Sequence, residues 1–120
     1  MNPRTTRKIL CLLALNTPVT AYASSQAEID HLIEYVAFTE CQYERNNTLH
    51  DGTEAVKHIQ KKYAYFEDEI ETAESFIRYA ATKSELSGNY YQIHCPGESA
   101  RKSQDWLLTE LERYRAGHNN

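Results

Sequence analysis

Chain breakers are scarce in this sequence. Four glycines and three prolines serve 120 residues, and neither residue occurs between Thr53 and Ser87. Nothing in that stretch forbids a helix on backbone grounds. Long apolar runs are missing as well. The main one, Ile9–Leu15, is too short to cross a bilayer, so no membrane span is expected. Cysteine is down to three residues, too few to build a thiolate metal centre unaided. Basic residues never cluster beyond pairs such as Lys61-Lys62 and Arg101-Lys102. Catalytic signatures are absent too: there is no G-x-S-x-G elbow and no HExxH pair.

What is present begins with a leader. Arg4, Arg7 and Lys8 precede the apolar run, and Ala21-Tyr22-Ala23 supplies a small-x-small cleavage signal. This is the layout of a secretory signal peptide over residues 1–23, with cleavage after Ala23. The competing reading of the same residues is a buried N-terminal helix. Leu10 stands where lipid attachment at Cys11 would need a small residue, so no lipid anchor is expected. A mature chain of residues 24–120 is one α-rich domain. It keeps ten basic residues against all 17 acidic ones, for a net charge near −7. That field repels nucleic acid and anionic lipid. The product is expected to be soluble and exported.

Only Cys41 and Cys95 survive cleavage. In a small exported domain, two cysteines read as one disulfide. Their surroundings agree, because "CQYER" and "YYQIHC" both alternate and are rich in strand formers. Two short paired strands would bring the sulfurs together, and closing a loop of about 55 residues contributes roughly 4 kcal/mol.

Helices account for the rest. Ser25 reads as a cap, followed by Ile29, Leu32, Ile33 and Val36 at helical spacing, which predicts a helix over residues 26–38. "NNTLHDG", from Asn46 to Gly52, reads as a loop. Val56, Ile59, Tyr63, Phe66, Ile70, Ala73, Ile77 and Ala80 advance by threes and fours. That pattern permits one long helix. A domain of this size is more compact with two, over 53–66 and 70–82, the second capped by Thr72. "KSELSGN" reads as a turn, and Ser103 as the cap of a last helix carrying Trp106, Leu107, Leu111 and Tyr114. The fold class is therefore mainly α: a compact four-helix domain with a two-stranded β element and one disulfide.

The blocks "CQYERN", "EAVKHIQKKY", "TAESFI", "SGNYYQI" and "WLLTEL", in this order, resemble the YfeK-like family of small exported bacterial proteins of unknown function. The resemblance covers nearly the whole mature chain. It implies a Gram-negative periplasmic location and a small, mainly helical domain, and brings no activity, cofactor or catalytic residue with it. One departure stands out: Asn47 occupies a position where the family block has glycine. Asparagine tolerates a left-handed backbone, so the turn is expected to survive.

Several groups carry potential chemistry. Glu54, His58 and Lys62 share a helix face. They read either as a solvated face or as a polar site in which Glu54 orients His58 while Lys62 or Arg45 holds an anion. Glu54 and His58 with His50 or Asp51 make only a weak metal pattern. "FEDEIETAE" has no glycine for a calcium loop and reads as a solvated acidic face. Ser84 and Ser87 would need a histidine base to act as nucleophiles. "SGNY", Ser87 to Tyr90, resembles the Ser-Gly-x-Tyr loop of bacterial periplasmic lysozyme inhibitors, although Gly88 is explained equally by a turn. The tyrosines, among them Tyr63, Tyr65, Tyr79, Tyr90 and Tyr91, read as core edges before they read as a ligand groove. The binding residues expected from this pattern are Arg45, His58, Lys62, Ser87, Gly88, Tyr90 and Tyr91. No catalytic residue, metal ligand or cofactor is expected. The function that fits is non-catalytic binding or envelope maintenance, with an envelope protein or a small anionic ligand as partner. The alternative is inhibition of a cell-wall hydrolase through Ser87 to Tyr90.

Overall fold

The structure, a computed structural model, describes residues 18–118, with side chains from Ser24 onward. The basic start and apolar run of the predicted leader lie outside the described residues. Helix α1 (Pro18–Ala37) begins within the last residues of that leader, with proline at its first position, where the missing N–H is no loss. Ser25, expected as the cap, therefore lies inside the helix. Ile29, Leu32 and Val36 form its buried stripe, as the spacing predicts.

The sheet is larger than expected. Strand β1 (Gln42–Arg45) turns through Asn46-Asn47 into β2 (Thr48–His50), so the predicted loop from Asn46 to Gly52 is mostly a hairpin. Asn46 and Asn47 have φ of 50° and 67°, the left-handed pair that a two-residue hairpin turn requires. Strand β3 (Gln92–His94) lies on the other side of β1, and β4 (Arg101–Lys102) pairs with β3. The order is β2-β1-β3-β4, antiparallel throughout. The sheet thus has four strands rather than two. The two additional strands, β2 and β4, are three and two residues long and leave no legible alternation.

The register fixes the disulfide. Gln42 opposes His94, so Cys41 and Cys95 fall opposite each other at adjoining strand ends. Their Cα atoms are 4.3 Å apart and their sulfurs are bonded. Tyr43, Tyr91 and Ile93 are buried on the helix side of the sheet, while Glu44 and His94 meet on the other face, Nε2 to Oε1 at 2.6 Å.

The stretch from Thr53 does fold back. Helix α2 (Gly52–Tyr65) and helix α3 (Ala73–Ala80) are separated by a 3-10 turn at Glu67–Glu69. Thr72 caps α3 in a reciprocal box: its hydroxyl accepts from the Ser75 amide at 3.1 Å, and Ser75 Oγ accepts from the Thr72 amide at 2.9 Å. Asp51 caps α2 by accepting from the Glu54 amide at 2.9 Å. Gly52 is buried against the end of α1. A Cβ there would come 2.2 Å from the Val36 carbonyl oxygen.

Helix α4 (Ser103–His118) closes the core with Trp106, Leu107 and Leu111. Ser103, expected as its cap, is fully buried. Its amide donates to the Tyr91 carbonyl at 2.9 Å, and its hydroxyl pairs with that of Tyr43. Because β4 runs straight into α4, the first residue of the helix joins Tyr43 of β1 to Tyr91, the residue just before β3. Further along, Arg115 forks onto Glu28 and Glu74, with Nε 2.7 Å and Nη1 2.8 Å from their oxygens, tying α1 and α3 to α4. Buried Glu110 lies 2.6 Å from His31 and pairs with Arg113.

Candidate functional site

The phase of α2 sets the site. Its buried line runs Ala55, Ile59, Lys62, not Val56, Tyr63, Phe66, which are only partly covered. The face that carries Glu54, His58 and Lys62 therefore rotates progressively inward. Glu54 stays exposed at the start of α2 and bonds His50, Nδ1 to Oε2 at 2.9 Å. It does not orient His58. His58 is half-buried, and the Lys62 side chain is only 10% exposed.

A buried ammonium needs acceptors. Lys62 Nζ donates to the Lys83 carbonyl at 2.6 Å, to Glu85 Oε1 at 3.3 Å and to the Tyr91 hydroxyl at 3.3 Å. The Tyr91 hydroxyl is also 3.0 Å from His58 Nε2. Burial lowers the Lys62 pKa, opposed by Glu85, and raises that of Tyr91. His58 is held down at about 4, first by burial and then by Arg45, Lys62, His50 and Lys61. At neutral pH the imidazole is neutral and the phenol protonated, in a field set by surrounding cations. The arrangement can hold an anion but offers no ionised nucleophile.

These groups border an open cleft of about 610 Å³. Arg45, His58, Lys61, Lys62 and Glu85 supply its polar side, and Tyr65, Phe66 and Leu86 its apolar side. An adjoining recess of about 660 Å³ shares Arg45, His58 and Lys61 and adds Lys57. Among the described residues, Arg45, Lys57 and Lys61 have no carboxylate within 4.0 Å.

Of the seven expected binding residues, Arg45, His58, Lys62 and Tyr91 converge on this cleft. Ser87 donates to Asn46 Oδ1 at 2.8 Å, which ties its loop to the rim. Gly88, at φ 75°, faces open space. Tyr90 turns away from Tyr91, as neighbours in extended chain do, and its exposed ring lies 4.3 Å from Lys102 Nζ. Lys61, Phe66 and Leu86 were not anticipated. Lys61 lies one turn beyond His58 and was legible from helical spacing, whereas Leu86 sits in a turn with no periodic signal.

Other chemistries find less support. Ser84 accepts from the Ser87 amide at 3.3 Å, and neither serine has a histidine partner among the described residues. Among those residues no group of three or more His, Cys, Asp or Glu could hold a metal ion, and no helix is long and apolar enough to cross a membrane.

Comparison with known proteins agrees with the resemblance carried by the sequence blocks. The family model described as "Family of unknown function (DUF5329)" matches residues 23–115. A Salmonella typhimurium LT2 protein described as "Uncharacterized protein YfeK" is 31% identical over 91 residues, spanning 71% of this chain and 76% of that protein. No solved structure matches. With most of its length matched, the chain belongs to the YfeK-like family of unknown function, DUF5329.

Proposed function

We propose that this chain is an exported, non-catalytic binding protein of the bacterial envelope that holds a small anionic ligand between Arg45, His58, Lys61 and Lys62. One observation carries the reading: Arg45, Lys57 and Lys61, none with a carboxylate within 4.0 Å among the described residues, gather at a concave site in a chain whose net charge is negative. Glu85 also lines the cleft but is engaged by Lys62, and Arg45 is half-buried, so the charges of Arg45 and Lys61 are left for a bound carboxylate or phosphate to meet.

The periplasm is the location that fits. The predicted leader over residues 1–23 and the Cys41–Cys95 cystine both belong to an oxidising, extracytoplasmic compartment. Intact-mass measurement of the exported protein should return a chain beginning at Ser24 and lighter by two hydrogens than the dithiol form.

Titration calorimetry with inorganic phosphate at low salt tests the binding role. Saturable heat that Arg45→Ala abolishes is the expected result, and no heat with phosphate or acetate would remove the reading. No observation favours inhibition of a cell-wall hydrolase through Ser87 to Tyr90, and a lysozyme turbidity assay is expected to run at its uninhibited rate.

A further inference from the structure

The apolar side of the cleft is more than an anion needs. Leu86 is 100% exposed and Tyr65 81% exposed, and both border the same space as the cations. Phe66, between them in the lining, is held by edge contact with Tyr65 at 4.8 Å and by Tyr79 at 5.3 Å. Phe66 packs against the core, and Tyr65 leans on it, so this part of the apolar wall is held in place. Three apolar side chains lining one cleft, rimmed by polar groups, have the layout of a ligand groove rather than of scattered surface residues. A cleft of this volume matches a ligand of drug-like size, well beyond an inorganic ion.

We infer that the ligand is an amphipathic anion, with one carboxylate or phosphate against Arg45 and Lys61 and an apolar body along Tyr65, Phe66 and Leu86. The inference rests on the anion-binding reading of the same cleft and names its ligand class. The ligand is taken as a free monomer. A concave site on an acidic chain suits a molecule entering it, whereas an anionic bilayer surface would be repelled by the rest of the protein.

Titration calorimetry separates the possibilities with four probes: inorganic phosphate, decyl phosphate below its micellar concentration, decanol, and vesicles of anionic phospholipid. Decyl phosphate should bind at least roughly tenfold more tightly than phosphate, and more tightly than decanol, because only it engages both walls. Leu86→Asn and Tyr65→Ser should each weaken decyl phosphate several-fold and leave phosphate binding unchanged. Both side chains are exposed, so neither change threatens the fold. Equal affinity for the two anions would overturn the amphipathic reading while leaving the anion site standing. Silence from both would remove the two readings together. Binding to vesicles without binding to monomeric decyl phosphate would also overturn it.

Discussion

The hydroxyl of Tyr91 stands 3.0 Å from Nε2 of His58, with the Lys62 ammonium donating to the same oxygen. The contact is satisfied with the phenolic proton directed at Nε2 and the imidazole proton on Nδ1, which leaves the phenolic oxygen free to accept from the ammonium. Protonating His58 would break this relay and add a cation beside Arg45, Lys61 and Lys62.

The first prediction follows from that relay. A histidine titration by NMR should find His58 near pH 4, rising when phosphate is added because the anion offsets the neighbouring cations. Between about pH 4 and the unfolded value near 6.5, the folded state binds fewer protons than the unfolded one. The stability contributed by His58 is therefore complete above pH 6.5 and is lost as pH falls toward 4. Glu74 and Glu110, whose pKa values are lowered chiefly by Arg115 and Arg113, lose theirs in the same direction at lower pH. Urea midpoints that stayed flat from pH 7 to 4 would contradict this.

Gly52→Ala should destabilise severely, by more than about 2 kcal/mol, because its Cβ would meet a backbone oxygen that cannot rotate away. Thermal melting checks it. An unchanged melting temperature would mean that α1 and α2 are not so closely abutted.

Reducing the cystine, or replacing Cys41 and Cys95 together by alanine, should remove roughly 4 kcal/mol through the freed loop of the unfolded chain. Denaturant unfolding with and without reductant measures this directly.

Ser103→Ala and Tyr43→Phe test whether the Ser103 hydroxyl works as a strut or as a helix cap. Each should cost about 1 kcal/mol. If the two hydroxyls serve each other, the double variant should lose less than the sum of the singles. Additive losses would indicate a cap.

Much of this fold could be read from residue order. The stripe of α1 and the core side of α4 follow directly from apolar spacing. The break before α3 is marked by Thr72, whose side chain offers the new helix a cap that one continuous helix would leave unused. The sheet was legible only at β1 and β3, where alternation runs beside the cysteines. Strand β2 was concealed because Asn46-Asn47 resembles any polar loop until both residues are known to take positive φ. Strand β4 was concealed because two residues carry no period. At the site, Arg45, His58, Lys62 and Tyr91 could be named because the two strands beside the cysteines, β1 and β3, bring their segments together. The inward turn of Lys62 could not, since it depends on α2 burying Ala55 rather than Val56, a rotation of one residue that apolar counting does not resolve. Helical spacing offers Glu54 to His58 only as one of two readings of that face. The hairpin delivers His50 to Glu54 instead.

The account turns on whether an anion enters between Arg45 and His58. Backbone and histidine side-chain resonances followed during a phosphate titration decide it most directly. Saturable shifts are predicted at Arg45, His58 and Lys61, absent in Arg45→Ala while its unfolding midpoint stays close to that of the parent. Shifts confined to other faces, or shifts that persist undiminished in Arg45→Ala, would contradict the account.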